Sequence, residues 1–157
     1  MKKLAVVFDL DGTLANNLYD PGSVAEWKWD GFANACNVAK SVPITKHIWK
    51  SFKGSQRIIL TARPERMRNN THDWLVRNID YTQEDDMLLM MPEQLKNVQE
   101  GFTTVDDIYK YQAEYKLNKL QYLEKEYNIA MFFEDNEIIT EYVRQKGGIP
   151  TCLVKAP

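Results

Sequence analysis

The chain has only two cysteines and two histidines, and no apolar run near the roughly 20 residues that a membrane-spanning helix needs. Each scarcity excludes something. Cys36 and Cys152 lie far apart and fit neither a zinc nor a redox spacing, so they read as two buried, reduced thiols. His47 and His72 stand alone on predicted helices, as ordinary surface or packing residues. The opening "MKKLAVVFDLDG" sets basic residues before an apolar run, but that run is only about five residues long and stops at Asp9, too short for a secretory signal. The expectation is a cytoplasmic protein with no membrane partner and no evident obligate protein partner. Neither sign of charge dominates: 20 Lys and Arg face 22 Asp and Glu, a net charge of -2. Such a chain has no general attraction to nucleic acid, and any contact must rest on a local patch. GxxxxGK[ST] is absent, as are internal repeats, low-complexity tracts and linkers. What remains is 157 residues, 44% hydrophobic and 27% charged, the size and mix of one globular domain spanning 1–157.

Hydrophobic patterning then orders the chain. Leu4 to Phe8 is valine-rich and reads as a buried strand. "SVAEWKWDGFANACNVA" is helical in pattern, and "PITKHIWKSFK" is a second helix, opened by Pro43 with Thr45 as its possible cap. Arg57 to Thr61, "RIILT", is the second strand. A helix begins at Pro64 and runs to about Asn78, with Met67, Thr71, Trp74 and Leu75 on one face. Met87 to Met91 is the third strand, stopped by Pro92, and a polar irregular stretch continues to about Thr104. One long helix covers most of Val105 to Tyr127, and "KEYNI" with its charged neighbours reads as a solvated face. Ala130 to Glu134 is the fourth strand. Asn136 caps a helix ending at Gly147-Gly148, and "TCLV" is the fifth strand. Strands alternating with helices predict a parallel sheet covered on both faces.

That architecture brings polar residues to one edge. In open α/β sheets, ligands bind beyond the carboxyl ends of the strands, near the switch in strand order. Asp9 and Asp11 follow strand one, Thr61 ends strand two, and Glu134 and Asp135 end strand four. "DLDGT" also begins like an EF-hand loop, but Leu14 stands where that loop needs its turn glycine and Asp20 where it needs glutamate. A strand, not a helix, precedes it. Calcium-loop binding is rejected.

"FDLDGTLA", "ILTAR" and "FFEDN", in that order, resemble the first, second and fourth motifs of the haloacid dehalogenase-like (HAD) phosphohydrolases, over nearly the whole chain from Val6 to Val154. The resemblance implies an α/β, Rossmann-like, doubly wound parallel sheet with a small helical cap inserted at approximately 15–55. It implies that Asp9 attacks phosphorus and becomes an aspartyl phosphate, and that Asp11 protonates the leaving alkoxide and later deprotonates water. Residues i and i+2 of an extended chain share a face, about 6.6 Å apart at Cα, so one carboxylate can address phosphorus and the other an oxygen in line with it. Gly12 permits close backbone approach, and Thr13 can turn its hydroxyl or amide to phosphate oxygens. Anionic nucleophile and anionic phosphate repel, so a cation is required. Hard oxygen ligands suit Mg²⁺, held by Asp9, Asp135 and the backbone carbonyl of Asp11. Glu134 stands where the family often has Asp; its longer side chain suits a water or a nearby lysine better than the metal itself.

The family's third motif is a lysine, and Lys116 and Lys119 compete for it. Val105, Tyr109, Ala113, Leu120, Leu123 and Tyr127 form one stripe, and Lys116 falls inside it. Lys119 lies about 60° to one side, at about 100° per residue. An inward lysine needs an anionic partner, which Asp9 and the phosphate supply. Lys116 is therefore chosen over Lys119. Since the family's lysine lies nearer a helix start, the helix is expected to break or begin around Ala113.

Within the superfamily, "DLDGTLA", "DGFANAC" with "VPI", "TARPERMRNNTHDWL" and "FFEDNEIITEYVRQKGGIPTCLV" are similar to the 3′-phosphatase domain of phage polynucleotide kinase-phosphatases. By that resemblance Arg63 reads a substrate phosphate; a surface salt bridge is its alternative. The lack of a P-loop implies a free-standing phosphatase, and "MMPEQLKNVQEGFTTVDD" lacks the arginine-bearing stretch usual there. Trp27, Trp29, Phe32 and Trp49 read as core, with base stacking as the alternative. The expected function is a Mg²⁺-dependent phosphomonoesterase removing 3′-phosphates from nucleic-acid ends or nucleotides. A 5′-nucleotidase and a non-catalytic phospho-ligand-binding relative are the alternatives; a dehalogenase is weaker, since that branch need keep neither the second acid nor Mg²⁺.

Overall fold

Five strands form wherever the apolar runs fall, and all pair in parallel. The computed structural model describes residues 1–16, 36–92 and 101–155. The strands β1 (Lys3–Phe8), β2 (Gln56–Pro64), β3 (Asp86–Met91), β4 (Tyr127–Glu134) and β5 (Thr151–Leu153) lie in the order β3-β2-β1-β4-β5. The described helices are α1 (Pro43–Ser51), α2 (Arg68–Ile79), α3 (Val105–Leu123) and α4 (Glu137–Tyr142). The order reverses between β1 and β4, so a crevice opens beyond their ends, where Asp9 and Glu134 sit.

Alternation along the strands builds two cores. Val6, Phe8, Ile59, Leu88 and Met90 point to one face, where they meet Trp49 of α1 and Trp74 of α2. Ala5, Val7, Ile58 and Leu60 point to the other, against Ala113, Leu117 and Leu120 of α3 and Ile139 of α4. The sheet is therefore covered on both faces, the doubly wound arrangement expected of this alternation. Its register is not uniform. Ala5 pairs with Ile129 but Val6 pairs with Met131, so Ala130 is an extra residue in β4. Beyond that bulge Phe8 stacks on Phe133 with ring centroids 4.5 Å apart, and the Asp9 amide donates to the Phe133 carbonyl at 2.9 Å.

Several expected boundaries move, each for a local reason. Pro64 ends β2 instead of starting a helix, because it pairs with Met91 past a break in the register after Leu60. A short 3₁₀ turn (Glu65–Met67) then leads into α2. "KEYNI" is not wholly a solvated face: Tyr127, Asn128 and Ile129 pair with β1, and Ile129 is buried. Thr45 does not cap α1; Val42 is its N-cap, and the buried Thr45 hydroxyl donates to the carbonyls of Thr13 and Val42. The expected break near Ala113 is absent, and α3 runs unbroken from a Thr104–Asp107 capping box. After α4 the chain makes a π turn (Val143–Gly147) that Gly148 ends with φ of 63°.

The expected cap falls mostly on residues 17–35, which lie outside the described residues, as do Trp27, Trp29 and Phe32. The irregular stretch after Pro92 does so in part, at 93–100. Within that cap span, α1 buries Trp49 edge-on against Phe8, which makes Trp49 core. Cys36 and Cys152 are not joined in a disulfide, and Cys36 is buried. His47 is exposed, and His72 packs edge-on against Tyr81.

Candidate active site

Three strands deliver the site. Asp9 is the first residue past β1, in the middle of the sheet, and is almost fully buried. A carboxylate there needs a cation, and Lys116 supplies it. Its Nζ donates to Asp9 Oδ1 and to Glu134 Oε2, each at 2.7 Å, from a side chain only 2% exposed. Burial works against the charge on Lys116, but Asp9 and Glu134 outweigh it and hold the ammonium above its ordinary pKa. Lys119 is half-buried and takes no part in this contact. The stripe on α3 thus points Lys116, and not Lys119, inward.

Glu134 is fixed on both sides. Oε2 accepts from Lys116, and Oε1 accepts from the backbone amides of Asp135 and Asn136 at 3.1 and 3.0 Å. Its extra methylene lets it hold the lysine while its strand-end backbone turns into the Asn136 cap of α4, where the Asn136 side chain accepts from the Ile139 amide.

The loop after β1 is wound on itself. The amides of Thr13, Leu14 and Ala15 all point back to the Leu10 carbonyl, and Gly12 has φ of 82°. A Cβ at Gly12 would lie 2.1 Å from Asp135 Oδ2. Glycine is required both for the left-handed turn and for the approach of that carboxylate. The Thr13 hydroxyl donates to Asp9 Oδ2 at 3.3 Å.

Asp11 is paired with Arg63. Arg63 Nε donates to Asp11 Oδ2 at 2.8 Å and Nη2 to Oδ1, while Nη1 donates to the Thr71 hydroxyl at 3.0 Å. The Arg63 amide in turn donates to Thr61 Oγ1 at 3.1 Å. The resemblance assigns Arg63 to a substrate phosphate; the structure pairs its buried guanidinium with Asp11 and Thr71. Cys36 lies close enough for both charges to act on its thiol, which burial pushes up to about 12. Neither Thr71 nor Cys36 was read as part of the site; only the position of Thr71 on the buried face of α2 hinted at it.

Asp9, Glu134 and Asp135 offer carboxylate oxygens that all lie within 4.8 Å of one another. Burial, then the charge of Glu134, pushes Asp9 up to about 7, with Lys116 opposing. Burial, then Asp9 and Glu134, pushes Asp135 up to about 9. The charges explain this. Four carboxylates, Asp9, Asp11, Glu134 and Asp135, face two cations, Lys116 and Arg63, leaving an excess of two negative charges. Hard oxygen donors with that excess fit one divalent cation such as Mg²⁺. Asp9, Glu134 and Asp135 are the acids that could hold it; Glu134 is the most heavily engaged of them, by Lys116 and by two backbone amides.

No family model matches the chain, and no curated protein does. Solved structures do. A chain of the Pnkp1/Rnl/Hen1 RNA repair complex has a TM-score of 0.63 at 21% identity, over 98% of this chain and 43% of its own. A second structure of that complex has a TM-score of 0.65 at 23% identity, over 98% and 46%. The class C acid phosphatase from Bacillus anthracis, with tungstate bound, has a TM-score of 0.62 at 17% identity, over 100% and 68%. This chain spans less than half the length of the RNA repair chains it matches. Its described helices are too short or too polar to cross a membrane. The chain, with its parallel sheet in the order β3-β2-β1-β4-β5, aligns with these structures along almost all of its length: it has the haloacid dehalogenase-like fold.

Proposed function

We propose that the chain is a Mg²⁺-dependent phosphomonoesterase that removes 3′-phosphates from nucleic-acid ends or nucleotides through an aspartyl phosphate on Asp9. One observation carries the reading: a buried Asp9 held by Lys116 at 2.7 Å, with a second carboxylate, Asp11, two residues on. A binding module needs no acid for proton transfer, whereas phosphoester cleavage does. Phosphate monoesters are among the slowest compounds to hydrolyse unaided, with enzymatic accelerations up to about 10²¹-fold, and a covalent intermediate divides that barrier.

Lys116 orients the Asp9 carboxylate and offsets charge as the phosphate arrives. Asp9 attacks phosphorus, and Asp11 gives the leaving alkoxide its proton. Asp11 then takes a proton from the water that cleaves the aspartyl phosphate. The Thr61 hydroxyl, whose oxygen already accepts from the Arg63 amide, donates to a phosphate oxygen, as does the amide or hydroxyl of Thr13. Asp9, Asp135 and the backbone carbonyl of Asp11 would hold a divalent cation, which would supply positive charge against the phosphate. The substrate assignment leans on the resemblance to phage 3′-phosphatase domains and on the shared fold with a chain of an RNA repair complex. A cap confined to approximately 15–55 is small, which leaves room for the end of a polymer.

Rates on matched 3′- and 5′-phosphorylated nucleotides and short oligonucleotides test it. Expected is faster release of 3′-phosphate, with modest affinity given the net charge of -2. A clear preference for 5′-monophosphates would make the protein a 5′-nucleotidase.

The metal has a second readout. Asp9 and Asp135 are raised from 3.8 to about 7 and about 9, so the folded metal-free protein binds more protons than the unfolded chain between these limits. Stability of the metal-free form therefore falls as pH rises through that window. A cation displaces those protons and relieves the repulsion. Mg²⁺ is expected to raise Tm more at pH 8 than at pH 5, and EDTA to abolish both that rise and the activity. Asp135→Ala weakens this response more than Glu134→Ala. Full activity in chelator, with a Tm indifferent to Mg²⁺ at every pH, would exclude the ion.

A further inference from the structure

We infer that Arg63 is the positioning residue for the proton-transferring carboxylate Asp11, and that it acts on leaving-group protonation rather than on substrate binding. The inference rests on the phosphatase reading above. Asp11 lies in a loop, followed at once by left-handed Gly12, so no helix or strand fixes its side chain. Arg63 reaches it from β2. Two nitrogens of its planar fork reach the two oxygens of Asp11, an arrangement that sets the orientation of the carboxylate as well as its place. The Arg63 side chain is 0% exposed, while the Asp11 side chain is 20% exposed. The carboxylate is therefore partly exposed while the guanidinium that holds it is covered.

Arg63 is itself anchored from two elements. Its Nη1 donates to the buried Thr71 hydroxyl on α2, and its amide donates to Thr61 at the irregular end of β2. A guanidinium that only waited for a substrate phosphate would need an open face, and desolvating it without a partner is costly. This one is buried, and its charge is matched by Asp11. The pairing also divides the site into two ion clusters, Lys116 with Asp9 and Glu134, and Arg63 with Asp11. The division keeps the acid from being drawn onto Lys116 beside the nucleophile.

The test compares p-nitrophenyl phosphate, whose leaving group needs little protonation, with a nucleoside 3′-monophosphate, whose alkoxide needs it. With Arg63→Ala, kcat on the nucleotide is expected to fall about 100-fold, within the range of general acid catalysis, while kcat on p-nitrophenyl phosphate falls only about fivefold. KM stays within about threefold of wild type on both substrates, since uniform binding is untouched. The double variant Asp11→Asn/Arg63→Ala is expected to be no slower than Asp11→Asn alone. If Arg63→Ala fails to fold, Arg63→Lys decides, since it keeps the charge but not the fork: its loss should be smaller and again confined to the nucleotide. A raised KM with kcat held, equal losses on both substrates, or wild-type rates in Arg63→Lys would overturn the inference. Asp9→Asn separates the two readings. A wild-type protein that is inactive, or whose activity survives Asp9→Asn, sinks the phosphatase reading. Activity that depends on Asp9, with an unselective Arg63 loss, sinks only the positioning role.

Discussion

Asp9→Asn is expected to leave no measurable turnover, a loss of at least about 10⁴-fold, because nothing else at the end of β1 can form the covalent bond to phosphorus. The variant should nevertheless fold. Asn keeps the size of the side chain, its carbonyl oxygen can accept from Lys116 in the place of Oδ1, and its amide nitrogen, in the place of Oδ2, can donate to the Thr13 hydroxyl oxygen. It also removes one of the negative charges that crowd the site. Asp9 is raised to about 7 by burial and by Glu134, so above that pH its ionised form opposes folding in the absence of metal. Metal-free Asp9→Asn is therefore expected to match or exceed wild-type Tm at pH 8, with Mg²⁺ adding less than it does to wild type. The companion variant Asp11→Asn should lose about 10²–10⁴-fold on alkyl esters through failed proton transfer, and less on p-nitrophenyl phosphate. An Asp9→Asn protein with wild-type kcat would remove the nucleophile from the assignment; one that is inactive but unfolded would leave Asp9 as a structural residue only.

Much of this site is legible in the residues because the chemistry dictates local pattern. Asp9 and Asp11 straddle one residue at the end of a five-residue apolar run, and the fold places such an end beside β4. Lys116 is legible because a helix with an apolar stripe can be rotated on paper, and only one lysine lies in the stripe. The capping box of α3 could have been read from Thr104 and Asp107, three residues apart across the helix start. The partner of Arg63 was out of reach for another reason. Asp11 and Arg63 are 52 positions apart, and nothing local tells whether a buried arginine faces a substrate or a neighbouring loop. The bulge at Ala130 was hidden too, since an extra residue in a strand has no sequence mark when its neighbours are equally apolar. Tyr127 to Ile129 misled by composition: polar neighbours surround a strand whose start pairs at the sheet's far edge, away from the cleft.

Lys116→Met carries the largest expected loss of stability. The substitution keeps the length and apolar stem of the side chain but strips Asp9 and Glu134 of their shared cation. Breaking a buried ion pair from one side costs about 3–5 kcal/mol, because the remaining charges have no water to turn to. Here two acids are orphaned, and Asp135 lies within 4.8 Å of both. Asp9, already raised by burial, is pushed further towards its protonated form, so protonation offsets part of the loss in acid. The stability gap between variant and wild type is expected to be widest near pH 8 and to narrow towards pH 5, measured in chelator by urea unfolding. Activity should fall with it, since a protonated Asp9 cannot attack phosphorus, and the rise of kcat with pH should come at a higher pH in the variant than in wild type. A gap that stays constant with pH would mean that Lys116 acts by packing along Phe132 and its neighbours, not by charge.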